Sequence, residues 1–575
     1  MPLPTTSSIS QTANLPNDPL FKQLLNNAQV NSNILVHDPA HNKDATTVQL
    51  LHDVVALQNK ILSQLPSHHI NHHGRLQTPG VYIVILAPLS YDFIVALYAV
   101  IALGAAAVPL SIKVLPEEGA WLVKKCNAIC LLAHPEQIPL ASQIRSHGPT
   151  TITRPNSSQL PLISIEHPPN LSSPPGLPQI DPTLTFPSNQ PGLLLFTSGT
   201  TGPPKGAILP RQLFFPHVTP DCTADDTAIV YRAVNGLPGI LNLSDLVYVG
   251  ARIELFPAGI QPAPIWERLR DGGVTVLAGA TRFWQVLMTH YEERLRGLPE
   301  NERILYDEGA QNLRVVWFGG GMPLPVAKRF WLRLRKERDW MVKYGASELG
   351  REAMVFRFAS ESAALKPIIG RPLAGTEVKL TDGDHGELLI KSPTMMIGYI
   401  DDEERTRAAF DDNGFYRTGD LVHQDDQGMF IFDGRVSADF VRFNGLRVSV
   451  YEVESHLCDL PYMVEAYVLS IPDTKYGHRV GALVVLGAGE ASLTLEKLRK
   501  DLATVLAIYK LPTVLRVVDS DEELPRSPEG KLSRNPALQR FFPTENGELL
   551  GKVEVWNLGV EEMKTNRAWD WGGVV

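Results

Sequence analysis

The sequence predicts an α/β protein: a large N-terminal domain of layered α/β subdomains plus a β-rich subdomain, followed by a small C-terminal α+β unit. Three observations carry this reading. The uncharged run Phe93–Leu110 is divided by Gly104 and Pro109 into a buried helix, Phe93–Leu103, and a strand, Ala105–Leu110, with the strand Val81–Leu86 before them. Strand–helix–strand is the unit of a parallel sheet covered by helices. From Gly375 the pattern changes to short strands separated by Gly/Asp turns, and after Gly434 a compact set of helices and strands begins.

Residues 1–45 form an N-terminal segment that is Ser/Thr/Asn/Pro-rich over its first thirty positions and is expected to be poorly ordered. The main domain spans 46–433, with a Pro/Ser-rich connection at 151–192 that reads as an extended surface stretch. Within it, Ala251–Phe256 and Val274–Ala278 read as strands and Pro325–Glu337 as a helix. Val378–Leu380, Glu387–Lys391 and Met429–Phe432 are short strands, and Asp425-Asp426-Gln427-Gly428 is a hairpin turn. The C-terminal unit covers 434–541, with helices at Val450–Leu457 and Leu495–Leu506 and strands at Val464–Ser470 and Arg479–Leu486. Residues 542–575 are an extension not needed to complete it.

The 575 residues are enough for more than one core, and 44% hydrophobic with 20% charged residues is an ordinary globular balance. A net charge of -9 argues against a large nucleic-acid footprint. Cys126, Cys130, Cys222 and Cys458 complete no zinc spacing and are expected to be inert thiols. The Phe93–Leu110 run is near the minimum length for a bilayer span, but its division makes it a buried helix and strand. The first thirty residues lack a signal-peptide core, so the cytosol is the expected compartment. Oligomeric state stays open between monomer and homodimer.

The chemistry concentrates in Leu193-Leu-Leu-Phe-Thr-Ser-Gly-Thr-Thr-Gly-Pro-Pro-Lys-Gly206, an apolar strand running into a loop of glycines and hydroxyls that ends at a lysine. Glycines let backbone N–H groups converge on an anion. Thr197, Ser198, Thr200 and Thr201 add hydroxyls beside Gly199 and Gly202, and Lys205 adds a positive charge. The composition is that of a polyphosphate loop, without the Gly-Lys-Ser/Thr ending of the common P-loop.

That string resembles the signature loop of the adenylate-forming superfamily, which includes acyl-CoA synthetases, peptide-synthetase adenylation domains and luciferases. Further strings in the same order resemble other family motifs. They are Gly319-Gly320-Gly321-Met-Pro-Leu-Pro325 (adenine side), Tyr344-Gly345-Ala346-Ser347-Glu348, Tyr416-Arg-Thr-Gly-Asp420 (ribose), Gly434-Arg435 (hinge) and Pro525-Arg-Ser-Pro-Glu-Gly-Lys531. The resemblance covers about residues 75 to 540. It implies ATP, Mg²⁺ and coenzyme A as cofactors, and a small carboxylic acid as substrate. It also implies that the C-terminal unit is a mobile lid. Lys531, Lys205 and Ser347 would take part in catalysis, Glu348 would hold the metal, Asp420 the ribose, and Arg435 the ribose or phosphate.

The stretch Gly434–Val448 looks most like the malonyl-CoA synthetase branch, which makes Asp439 the expected hinge acid; Ser449–Glu454 and Ile265–Arg268 fit the same branch. Gly445, Tyr476 and Gly477 are expected to face coenzyme A. For the acyl end, the resemblance suggests Asn235, Gly236, Arg282 and Gly321, with Arg252 as a second candidate cation. Asn235 stands where relatives usually carry His, and Gln285 where they carry a basic residue, beside Trp284. These departures point to an acid larger or less charged than malonate. The expected activity is ATP-dependent carboxylate:CoA ligation through an acyl-adenylate. Transfer to a carrier thiol or an amine is the alternative, and a nucleotide-binding regulator without catalysis is the third reading.

Overall fold

The computed structural model describes residues 14–147, 159–166, 176–197, 204–215, 221–259, 261–323, 325–360, 366–435, 440–443, 446–473, 475–487, 493–527, 530–545 and 548–557. Three sheets organise them. A seven-stranded sheet carries the parallel run Tyr82–Leu86, Ala106–Pro109 and Cys130–Ala133, next to the hairpin Pro191–Thr197/Lys205–Pro210. The helix between its first strands is Tyr91–Ala102, capped by Ser90 and buried along nearly its whole length, as an uncharged apolar run requires.

A thirteen-stranded sheet joins two halves of different character. Val276–Ala280, Val315–Gly319 and Trp340–Tyr344 run parallel in its centre. From Met354–Phe358 onward the strands are antiparallel, through Phe430–Arg435 and Tyr416–Gln424 to His385–Lys391 and Glu377–Asp382 at the edge. The α/β and β-rich stretches therefore share one continuous sheet. The lid has its own sheet around Gly477–Leu486 and its own apolar core, built from residues such as Val441, Val453, Leu498 and Leu515. Among the described residues, no helix is long and apolar enough to cross a membrane.

Two expectations are corrected at the chain ends. Residues from Asn14 onward within the first 45 are folded, not poorly ordered. Pro19–Val30 is a helix, and Ile34–Asp38 and Lys43–Thr46 close one edge of the thirteen-stranded sheet. Asp18 caps that helix through the Phe21 N–H, and its other carboxylate oxygen accepts from buried Arg211, just after the phosphate-loop hairpin. Composition gives no hint of this, because the partners lie far along the chain. The extension after 541 also belongs to the lid. Glu554–Val555 adds an edge strand against Val514–Leu515, the Glu554 carboxylate accepts from the Leu495 N–H, and Arg499 stacks on Trp556 at 4.4 Å.

The Asp18–Arg211 pair is almost fully buried, so removing one partner strands a charge. Asp18→Ala is expected to lower stability by roughly 3–5 kcal/mol, as measured by urea unfolding followed through tryptophan fluorescence.

Candidate active site

The parallel strands of the large sheet deliver the motifs. Val276–Ala280, Val315–Gly319 and Trp340–Tyr344 end side by side, and Thr281, Gly320–Gly321 and Gly345–Glu348 begin just beyond those ends. Ligand crevices in α/β sheets open at the carboxyl ends of strands. Gly320 has φ +75, a conformation that suits glycine. The Thr281 hydroxyl donates to the Gly321 carbonyl at 3.2 Å and steadies the loop.

Tyr344 reaches across to the antiparallel half. Its hydroxyl donates to Asp420 Oδ2 at 2.5 Å, while Arg435 Nε donates to Asp420 Oδ1 at 2.6 Å. Asp420 and Arg435 are register partners on neighbouring strands. Burial and then the Asp420 charge push the Tyr344 hydroxyl well above its ordinary pKa, so it remains a donor. Each carboxylate oxygen of Asp420 keeps acceptor capacity for another hydroxyl. Ser347 and Glu348 open a short helical turn, with Ala346 extended before it. Glu348 Oε1 accepts from the Tyr399 hydroxyl at 3.0 Å.

Tyr399 is a candidate site residue that the motifs did not reveal. It lies on a two-residue strand paired with Lys205–Pro210, and the Lys205 ammonium sits 5.8 Å from its ring centroid. Tyr399 thus touches Glu348 through its hydroxyl and has Lys205 near its ring. No sequence signal marks it, because its place depends on strand pairing. Thr197 and Lys205 are register partners closing the phosphate-loop hairpin. Ser198, Gly199, Thr200, Thr201 and Gly202 lie outside the described residues, as do Asp439 and Gly445.

The lid brings Lys531 to this crevice. Its ammonium nitrogen is 3.5 Å from where a Cβ on Gly320 would stand. The body and lid are also joined by ion pairs, Arg282 Nη1 to Glu465 Oε1 at 2.8 Å and Arg329 to Asp459 at 2.9 Å. Thr281, Gln285 and Met322 face Tyr451, Glu454, Cys458, Glu465 and Tyr467 across a cavity of about 120 Å³.

Several expectations for the acyl end and the coenzyme A side change accordingly. Arg282 faces the lid and binds Glu465 instead of an acyl pocket, and Gln285 shares that face because it lies one helical turn further on. Trp284 turns to the opposite face, fully buried between Trp340 at 4.6 Å and Trp331 at 5.0 Å. Arg252 pairs with Glu254, which Arg268 also holds. Asn235 and Gly236 precede the helix Leu237–Val249, with Gly236 as its N-cap. Near them, Arg232 lies 5.6 Å from the Trp317 ring centroid, and Lys343, paired with Glu352 at 2.8 Å, lies 5.1 Å from the same ring. Tyr476 is packed in the lid core against Phe443, with Arg479 at 4.9 Å from its ring, so its side chain is not presented to a ligand. Gly477 begins the central lid strand at φ +74.

The chain matches the AMP-binding enzyme model over residues 50–400 and the AMP-binding enzyme C-terminal domain model over residues 452–531. The acyl-CoA ligase oryP of Aspergillus oryzae is 35% identical over 560 residues, 96% of this chain and 97% of that protein. The mitochondrial malonate–CoA ligase ACSF3 of Xenopus laevis is 26% identical over 530 residues, 85% of this chain and 87% of that one. The ATP-bound structure of MatB from Rhodopseudomonas palustris shares the fold with a TM-score of 0.72 at 20% identity, over 89% of this chain and 97% of that chain. With a family model spanning more than half its length and a ligase aligned nearly end to end, the chain belongs to the AMP-binding enzyme family, in its carboxylate:CoA ligase class.

Proposed function

We propose that the chain activates a small carboxylic acid with ATP and passes the acyl group to coenzyme A, with Lys531 acting in the first step. The observation that carries this reading is the position of Lys531 beside Gly320, in the same crevice as Glu348 and Asp420. In the first half-reaction a carboxylate oxygen attacks the α-phosphorus, and the bond to the bridging oxygen of pyrophosphate breaks. Negative charge is concentrated on phosphate oxygens, where fixed cations stabilise the transition state most. Lys531 would lie between the attacking carboxylate and the α-phosphate, and Lys205 would meet the departing phosphates. Asp420, already oriented by Tyr344 and Arg435, would accept from the ribose hydroxyls. In the second half-reaction the coenzyme A sulfur attacks the acyl carbon, its proton passes to solvent, and AMP leaves.

Glu348 suits Mg²⁺, which prefers hard oxygen ligands and is commonly held by one or two carboxylates together with substrate phosphates. Its carboxylate is steadied by Tyr399 and would supply one such ligand. The metal would neutralise phosphate charge. Ser347, Tyr344 and Gly319–Gly321 would border the nucleotide.

The acid is proposed to be a monocarboxylate and not malonate. Both cations considered for a second carboxylate, Arg252 and Arg282, are committed to Glu254 and Glu465. A buried carboxylate without a partner is costly.

Lys531→Ala is expected to slow pyrophosphate release by roughly 10²–10³-fold while still converting a pre-made acyl-adenylate to thioester. Equal loss of both steps in the folded variant would remove the division of labour. Glu348→Gln should raise the Mg²⁺ concentration needed for half-maximal activity by about ten-fold or more, and an unchanged titration would take Glu348 out of the metal site. A pyrophosphate-release screen over mono- and dicarboxylic acids, with and without coenzyme A, should favour medium-chain or aromatic acids over malonate by roughly 10²-fold or more in kcat/KM. Efficient turnover of malonate that is abolished by Arg232→Ala would restore the dicarboxylate assignment.

A further inference from the structure

We propose that Arg282, Glu465 and Arg526 form a positioning triad that sets the lid for adenylate formation and for that step alone; this rests on the role given above to Lys531. Arg282 belongs to the first turn of the helix Thr281–His290 in the body, and Glu465 to the lid strand Met463–Asp473. Glu465 is gripped from both sides. Oε1 accepts from the body's Arg282 at 2.8 Å, and Oε2 accepts from the lid's Arg526 at 2.5 Å and from the Tyr467 hydroxyl at 2.7 Å.

Arg526 carries the connection onward. It lies in the turn that ends at Lys531, donates to the Gly530 carbonyl at 3.3 Å and to the Tyr467 hydroxyl at 3.0 Å, and pairs across the turn with Leu532. The Ser527 N–H donates to the Lys531 carbonyl at 2.8 Å and closes the same turn. A continuous set of polar contacts therefore runs from the body through Glu465 and Arg526 to the residue before Lys531. At the other end the Lys531 ammonium lies beside Gly320 of the body, 3.5 Å from where a Cβ there would stand. The lysine's placement over the crevice is thus referenced to the body at two points.

The charges also suit a reversible contact. When the lid leaves, Glu465 keeps Arg526, so no buried carboxylate is left uncompensated, and Arg282 passes into water. An arginine–carboxylate contact of this partly exposed kind biases a domain equilibrium without locking it. Its influence should appear in the step that needs Lys531 and vanish in the step that does not.

The test uses the full-length protein, the acid that releases pyrophosphate fastest in the screen above, and its synthetic adenylate. Both half-reactions are measured for Lys531→Ala, Arg282→Ala, Arg282→Lys and the double variant Arg282→Ala/Lys531→Ala. Arg282→Ala should lower kcat for pyrophosphate release roughly ten-fold and leave thioester formation from the adenylate unchanged, which also certifies its fold. Arg282→Lys should recover most of the loss. The double variant should match Lys531→Ala alone, because the two residues act as one unit. Equal loss in both half-reactions, no loss in either, or full multiplicativity with Lys531→Ala would overturn the triad. If Lys531→Ala itself spares pyrophosphate release, the assignment of Lys531 falls and the triad falls with it. If Lys531→Ala slows release and Arg282→Ala does not, only the triad falls.

Discussion

The hydrogen bond from Tyr344 to Asp420 joins the two halves of the large sheet at the carboxyl ends of its parallel strands. Tyr344 ends the last central parallel strand, and Asp420 belongs to the antiparallel half. Neither group can leave without cost. Asp420 is buried and Tyr344 partly so, and a buried hydroxyl or carboxylate without its partner loses its desolvation energy uncompensated. Arg435 completes the arrangement from the strand that leads toward the lid. The carboxylate proposed to orient the nucleotide is therefore held from both sides, by Tyr344 and by Arg435.

Around that fixed point the protein uses two kinds of electrostatics. Within the body, Asp18 and Arg211 are paired and buried, and Arg351–Asp245 and Lys343–Glu352 are paired and half-buried, with the Glu352 carboxyl held below its ordinary range by Lys343 in spite of burial. Such groups hold geometry, since removing one partner is far costlier than the pair is worth. Between body and lid the pairs Arg282–Glu465 and Arg329–Asp459 are partly exposed, unlike Asp18–Arg211. Exposed pairs are weak enough to break in a catalytic cycle. A lid that brings a lysine and then withdraws it, as proposed for Lys531, would need contacts of the second kind.

The helix Thr281–His290 illustrates why the acyl end was hard to read from the chain alone. Three positions of one helix, Arg282, Trp284 and Gln285, are read from the sequence as belonging to one acyl end. A helix turns about 100° per residue, so they cannot all face the same way. Thr281, Arg282 and Gln285 meet the lid, whereas Phe283, Trp284 and Leu287 enter the core beside Trp331 and Trp340. Which face met which neighbour depended on where the lid docked. Tyr476 was misjudged for a related reason: its loop is on the lid surface, but its ring turns inward against Phe443.

The sequence by itself determined the layered α/β architecture and a buried helix near Phe93–Leu103, found at Tyr91–Ala102, and it nominated Lys205, Glu348, Asp420 and Lys531 as the chemically equipped residues. These are local properties. Apolar periodicity sets an element, and residue type within a short string sets a chemistry. The folding of residues 14–45 onto the body, the partnership of Tyr399 with Glu348, the edge strand at Glu554–Val555 and the approach of Lys531 to Gly320 were decided only by tertiary structure. Each joins groups remote in sequence, and such contacts are selected by the packing of whole layers. A single chain read position by position carries no record of which distant partner that packing will supply.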